Sequence, residues 1–181
     1  KSYVDASSFF AIKKFFETYA RLNPELLEIV EQTKNVELVE DNSTKHRVTL
    51  RRTTIDDDVV EYQKKTKLTS EDFSDVGIRI RTAKEEVISP SGFPENAKMM
   101  TRFGKRTSFT SPSGTGILRP NMRIDLTKVL SDFSDTRYEV EIEIVSMEYA
   151  KSFPTTTAND FLHTITLVRH ILNDSTDLLD G

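Results

Sequence analysis

Residues 138–145 read YEVEIEIV, and the fold turns on how that alternation is read. Glu139, Glu141 and Glu143 fall on one side of a strand, with Val140, Ile142 and Ile144 on the other. Like charges stacked along one face repel, so something else in the fold has to offset them. Several other stretches have the same period of two but carry the opposite charge. In KHRVTLRR (45–52), Val48 and Leu50 oppose Arg47, Thr49 and Arg51; in VGIRIRT (76–82), Ile78 and Ile80 oppose Arg79 and Arg81. In TRFGKRTSF (101–109), Phe103 and Phe109 oppose Arg102, Arg106 and Ser108; in NMRIDLTKV (121–129), Ile124 and Leu126 oppose Arg123, Asp125 and Thr127. VVEYQKKTKL (59–68) alternates more roughly, with Val60, Tyr62 and Leu68 opposite Glu61, Gln63, Lys65 and Lys67.

Alternation alone favours an ordinary antiparallel sheet with one face on helices and the other in water. The segregation of sign argues for more: one strand offers only carboxylates, and several offer mainly cations. A closed antiparallel β-barrel with a polar lumen would set these rows across from one another and turn the apolar faces outward, beneath covering helices. The expected class is therefore α+β.

The rest of the chain fits that frame. Its 181 residues are enough for one domain with a real core. Charged residues make up 30%, and no apolar run approaches the ~20 residues of a membrane helix. Cysteine is absent, which excludes disulfides and thiolate metal sites. The net charge of −4 supplies no global attraction to nucleic acid, so anion binding must rely on local cations. DASSFFAIKKFFETYARL (5–22) predicts a helix with starters at Asp5, Ser7 and Ser8 and a stripe of Phe9, Ile12, Phe16 and Tyr19. NPELLEIVEQ (23–32) predicts a second helix, capped by Asn23 with Pro24 in its first turn. Strands are expected near 36–41, 45–53, 59–68, 76–87, 98–110, 121–130 and 137–146. A last helix, capped near Asn159 or Asp160, carries Phe161, Ile165, Val168 and Leu172. Residues 176–181 read as a linker or frayed end after a domain over 1–175.

A row of carboxylates facing Arg and Lys is a poor stability device, because desolvated ion pairs seldom repay their lost hydration. It suits a polyanionic ligand held together with a hard divalent cation. Mg²⁺ or Mn²⁺ takes a few carboxylates plus phosphate oxygens and keeps several waters. Arg offers bidentate forks to phosphate, and Lys offers point charge.

The ordered set YEVEIEI (138–144), RFGKRTSF (102–109), MRIDLTKV (122–129) and GIRIRTAKEE (77–86), closed by an amphipathic helix, resembles the triphosphate tunnel metalloenzymes. The resemblance is strongest to the RNA triphosphatase domain of mRNA capping enzymes of the large-DNA-virus type. It implies an eight-stranded tunnel that removes the γ-phosphate of 5′-triphosphate RNA with Mg²⁺ or Mn²⁺, the first step of capping. It implies Glu139, Glu141 and Glu143 as metal ligands, with Glu141 also catalytic beside Arg79, Arg81, Arg102, Arg106 and Arg123. Arg47, Arg51, Lys65, Lys67, Lys105 and Asp125 are the implied substrate-binding set. It also implies guanylyltransferase and methyltransferase domains on the same polypeptide, and a cytoplasmic, viral-factory or virion location with no membrane partner. The family carries a further glutamate pair on its first strand, which is expected to be missing ahead of Lys1. Gly104 stands where relatives carry a tunnel lysine, and Lys105 has the opposite parity, so it would need a bulge to point inward. A nucleotide or inorganic polyphosphate hydrolase of the same fold, and a catalytically silent barrel that binds RNA or a partner, are the alternatives.

Other features read as ordinary surface. Asp56, Asp57 and Asp58 lack calcium-loop spacing. His163 and His170 lie too far apart on one helix for a metal pair. SGTG (113–116) lacks the lysine and helix start of a phosphate loop.

Overall fold

The structure is a computed structural model that describes residues 2–41, 48–55, 58–74, 78–94, 100–131 and 134–177. Among the described residues, eight strands and three α-helices follow in chain order: β1 (Ser2–Val4), α1 (Ala6–Leu22), β2 (Glu28–Asp41), β3 (Val48–Ile55), β4 (Asp58–Phe73), β5 (Ile78–Val87), β6 (Met100–Thr110), β7 (Met122–Ser131), β8 (Ser134–Ile144), α2 (Met147–Ser152) and α3 (Pro154–Asp177). They form one antiparallel sheet in the order β1-β8-β7-β6-β2-β3-β4-β5, flanked by helices, as the alternating pattern requires. Seven strands were legible; β1 makes an eighth beside β8, being too short at three residues to show a period.

Helix α1 starts where its polar residues say it should. The Asp5 carboxylate accepts the Ser8 N–H at 2.7 Å and the Ser7 and Ser8 hydroxyls at 2.6 and 3.0 Å, satisfying donors that a helix start leaves open. Those bonds, Ser7's foremost, hold the Asp5 carboxyl below its ordinary pKa. The helix ends at Asn23, whose backbone N–H and side-chain Nδ2 both reach the Tyr19 carbonyl, at 2.9 and 3.0 Å. Asn23 therefore closes α1 and does not open a second helix. A turn follows, and β2 begins at Glu28, eight residues earlier than expected. Pairing into a sheet has overridden the local helical signal of PELLEIVEQ, as tertiary context commonly does. The last helix also starts earlier than expected, with Pro154 in its first position, and is preceded by the short α2 capped by Ser146.

The chain forms two compact units. One comprises Tyr3–Glu31, Thr107–Thr127 and Tyr138–Gly181. Here Phe9, Ile12, Phe16 and Ala20 of α1 and Val168 and Ile171 of α3 pack with Phe109, Ile124, Leu126 and Val140 from the apolar sides of β6, β7 and β8. Ile12, Phe16, Phe109, Ile124 and Leu126 are wholly buried, each adding about 1.5–3 kcal/mol of transfer free energy. Phe16 meets Phe109 at 5.2 Å between ring centres.

The other unit comprises Lys1–Ser2, Gln32–Arg106 and Lys128–Arg137. Its β2–β3–β4–β5 register pairs Leu38 with Arg51, Arg51 with Gln63 and Gln63 with Val87, and likewise Thr49 with Lys65 and Lys65 with Glu85. Arg51, Gln63, Lys65 and Glu85 thus share one face. The opposite face carries buried Val39 and Val48, together with Arg52. Arg52 bonds Glu37 and lies 5.8 Å from the ring centre of buried Phe93, which also meets Tyr62. Strand β4 is bulged twice. Partners step from Glu61 to Val59 opposite Thr53 and Thr54, and from Lys67 to Thr69 opposite Ala83 and Thr82, leaving Val60 and Leu68 as extra residues. The rough alternation of this segment in the sequence is these two bulges.

Candidate functional site

In the Tyr138-containing unit the polar face is withdrawn from water, although charged groups line it. Asp125 is wholly buried, Glu139 is 2% exposed, and Thr127 and Ser108 are buried beside them. Glu141, Glu143 and Arg123 are half-buried. A sheet face simply turned to solvent would leave these groups wet, so that simpler reading of the alternation fails here.

Three of the site residues expected from the sequence come together around Arg123. Its Nε lies 3.0 Å from Asp125 Oδ1, and its Nη2 donates to Glu143 Oε2. Burial works against the charge on Arg123, but Asp125 and Glu143 outweigh it and hold the guanidinium above its ordinary pKa. Asp125 is held in turn by Ser108, whose hydroxyl donates to Oδ1 at 2.6 Å. Ser108 was visible only as a polar residue on the parity of Arg106, and nothing in its spacing marked it as the partner of an acid on another strand. Thr127 was missed similarly: its Oγ1 is buried without a hydrogen-bond partner among the described residues.

The remaining cations belong to the other unit. Lys65 bonds Glu85, Gln63 donates to Glu85 at 3.2 Å, and Arg51 lies close enough to act on the same carboxyl. Burial raises the pKa of Glu85, and the bond to Lys65 and the charges of Lys65 and Arg51 more than reverse that, leaving it low. Glu85 was not singled out in the sequence. Arg79 bonds Asp72, with Nη2–Oδ2 at 2.9 Å; Arg79 is half-buried and Asp72 exposed. Arg81 and Lys67 are exposed, opposite Ser70 and Ala83. Arg102 and Arg106 are half-buried, whereas Lys105 is exposed and has the strand parity of Phe103 and Phe109. Arg47 lies outside the described residues.

A hard divalent cation fits the donor chemistry of the glutamate strand: carboxylates at alternate positions, with Asp125 and Thr127 on the neighbouring strand β7. It does not fit a closed protein cage, because among the described residues no three carboxylate or imidazole groups cluster tightly enough to hold an ion alone. Alternate residues on a strand lie roughly 6.6–6.8 Å apart, so adjacent glutamates could share an ion only with waters and ligand oxygens completing the shell.

Comparison with known proteins places these observations. The structure is similar to the S. pombe Pct1 RNA triphosphatase, with a TM-score of 0.70 and 18% identity over 93% of this chain and 70% of that one. The same protein in complex with the Spt5 CTD matches with a TM-score of 0.67 and 21% identity, over 94% and 70%. The PH1819 protein of Pyrococcus horikoshii OT3 matches with a TM-score of 0.50 and 12% identity, over 96% and 86%. At these identities the likeness is one of fold. No curated protein matches the sequence. The profile of one family, described as mRNA capping enzyme, beta chain, matches residues 74–179, which include β5 to β8, α2 and all of α3. With more than half of its length inside that profile, the chain belongs to the mRNA capping enzyme beta chain family, the mRNA triphosphatases.

Proposed function

We propose that this chain hydrolyses the γ-phosphate of 5′-triphosphate RNA with the help of Mg²⁺ or Mn²⁺. The observation that carries the reading is the buried polar face on which Arg123 is held between Asp125 and Glu143, beside Glu139 and Glu141. Family membership and the shared fold support it.

Arg123 is the best-placed phosphate ligand. Its bonds to Asp125 and Glu143 use Nε and Nη2, which fixes the plane of the guanidinium and offers the Nη1 edge to a phosphate oxygen. Ordering the fork beforehand lowers the entropy lost when the charged ligand arrives. Glu141, half-buried between Glu139 and Glu143, orients the attacking water and accepts its proton. Glu139, Glu141 and Glu143 hold the divalent ion, which when bound supplies positive charge to the triphosphate oxygens. Arg79, Arg81, Arg102 and Arg106 are proposed to balance charge on the phosphoryl group, and Arg47, Arg51, Lys65, Lys67 and Lys105 to hold the rest of the substrate. Guanylyltransferase and methyltransferase domains on the same polypeptide, and a viral source, extend the proposal on the sequence resemblance alone. The S. pombe protein was solved in complex with the Spt5 CTD, and docking of that kind extends it on the fold.

The test is release of inorganic phosphate from triphosphate-ended RNA in Mg²⁺ or Mn²⁺, with Glu141→Ala and Glu143→Ala as folded controls. Release by the parent and none by the variants supports the reading, and no release by the parent with either metal overturns it. Free nucleotide hydrolysed faster than RNA would favour the nucleotide hydrolase. Affinity for triphosphate RNA should fall as salt rises, since phosphate contacts dominate it.

A further inference from the structure

We infer that Asn121 is a positioning residue that locks the register of β7 against β8 and so places Arg123 against Glu143. The inference rests on the proposed phosphate-binding role of Arg123 for its catalytic consequence, though not for its structural one. Asn121 has φ of 61°, a left-handed conformation that few side chains other than Gly, Asn and Asp adopt readily. It stands just before β7, where the chain arrives from the 111–120 loop, and faces the point where β8 gives way to α2. These two strands are linked at their far ends, so this is the open end of the pair. Three contacts close it: the Val145 N–H donates to the Asn121 carbonyl at 2.9 Å, Asn121 Nδ2 donates to the Ser146 carbonyl at 3.0 Å, and the Ser146 N–H donates to Asn121 Oδ1.

The consequence follows from strand geometry. Two residues inward from the Asn121–Val145 bond on each strand stand Arg123 and Glu143, the pair observed in contact. Register errors in a sheet are not graded, because a slip of one residue turns every side chain to the other face. Here such a slip would send Glu139, Glu141 and Glu143 into the helix-covered core. Smaller fraying at the open end would loosen the Arg123 fork before it disturbed the buried middle of the sheet. The side-chain amide of Asn121 serves as acceptor and donor together, which glycine cannot do even though it tolerates the same φ.

The experiment compares Asn121→Gly, which keeps the backbone and removes the clamp, with Asn121→Asp, which keeps the acceptor for the Ser146 N–H. Asp5→Ala, which removes the α1 cap, controls for general loss of stability. Two readouts are taken on the folded chain: steady-state kinetics of phosphate release, and the ¹⁵N-resolved Arg123 Nε–H resonance. Asn121→Gly should lower kcat about 10-fold or more with a smaller change in KM, as misplacement of a catalytic group does. It should also shift or broaden the Arg123 signal. Asn121→Asp should recover part of both, and Asp5→Ala should change neither. An Arg123 resonance and kcat in Asn121→Gly equal to the parent's would overturn the inference. If the parent shows no phosphate release, the proposed function fails, and the resonance alone decides the register lock.

Discussion

Replacing Arg123 by Gln tests how the site holds its own charge. The Arg123 side chain is 30% exposed and meets two acids in different surroundings: Asp125, wholly buried, and Glu143, at 41%. Removing one partner of a fully buried pair costs about 3–5 kcal/mol, because the remaining charge loses its compensation. Arg123 is partly wet, so we take about 2–3 kcal/mol for its coupling to Asp125. The coupling to Glu143 resembles a surface pair and should be about 0.5–1 kcal/mol. Double-mutant cycles with Asp125→Asn and Glu143→Gln separate the two. Urea unfolding can be followed by far-UV circular dichroism and tyrosine fluorescence, since the chain has five Tyr and no Trp. Only variants with unchanged m values enter the cycles. Raising salt from 0.1 to 1 M shortens the screening length from about 10 to 3 Å, which should shrink the Glu143 coupling and spare that of Asp125. If the Glu143 coupling equals or exceeds that of Asp125, or if both fall together with salt, the assignment of Asp125 as the buried anchor is wrong.

Two further predictions concern other parts of the chain. Glu85 has a lower pKa folded than its ordinary 4.5, so the stability it contributes is present above that value and is lost as the pH falls through the folded pKa. Lys65→Met should flatten stability against pH below 4.5 and leave the slope between pH 7 and 9 unchanged; an unchanged acid limb would show that the pair contributes nothing. Removing the α1 cap by Asp5→Ala should cost about 1 kcal/mol in urea unfolding, whereas Asp5→Asn should retain most of the stability. Equal losses in the two would point to charge, and not the Ser8 N–H bond, as the source.

The sheet was legible because its strands alternate so regularly. The Phe109, Ile124, Leu126, Val140 face is apolar at every second position, and α1 and α3 bury it. The helix starting at Asp5 was legible for the same kind of reason, a cap followed by a stripe at 3.6-residue spacing. What failed was local ambiguity that long-range pairing resolves. Asn23-Pro24 has the chemistry of a helix start, yet Asn23 also ends helices well, and the β2 partners decide between them. The site was half visible. Charge sign and parity singled out Arg123, Asp125 and Glu143, whereas Ser108 and Glu85 became apparent only through neighbours distant in sequence, and Thr127 only through its burial. Asn121 carried a faint signal, an Asn at a turn just before a strand, but its partner lies 25 residues away.

Leu68 shows how one residue can matter through its backbone alone. Its side chain is 60% exposed and packs against little, so truncation to alanine should pass almost unnoticed. Deleting the residue is another matter. The surplus peptide unit resets the phase of β4, so that Ser70 and Asp72 stand opposite Arg81 and Arg79 while Lys65 and Lys67 keep the side they share with Glu85. Without it, every side chain from Thr69 to Phe73 would move to the opposite face of the ribbon, or β5 would have to slide by one place. Insertions and deletions in this ribbon are therefore far more disruptive than substitutions, and an alignment of relatives that closes this gap would put the wrong arginines on the face of Lys65 and Glu85.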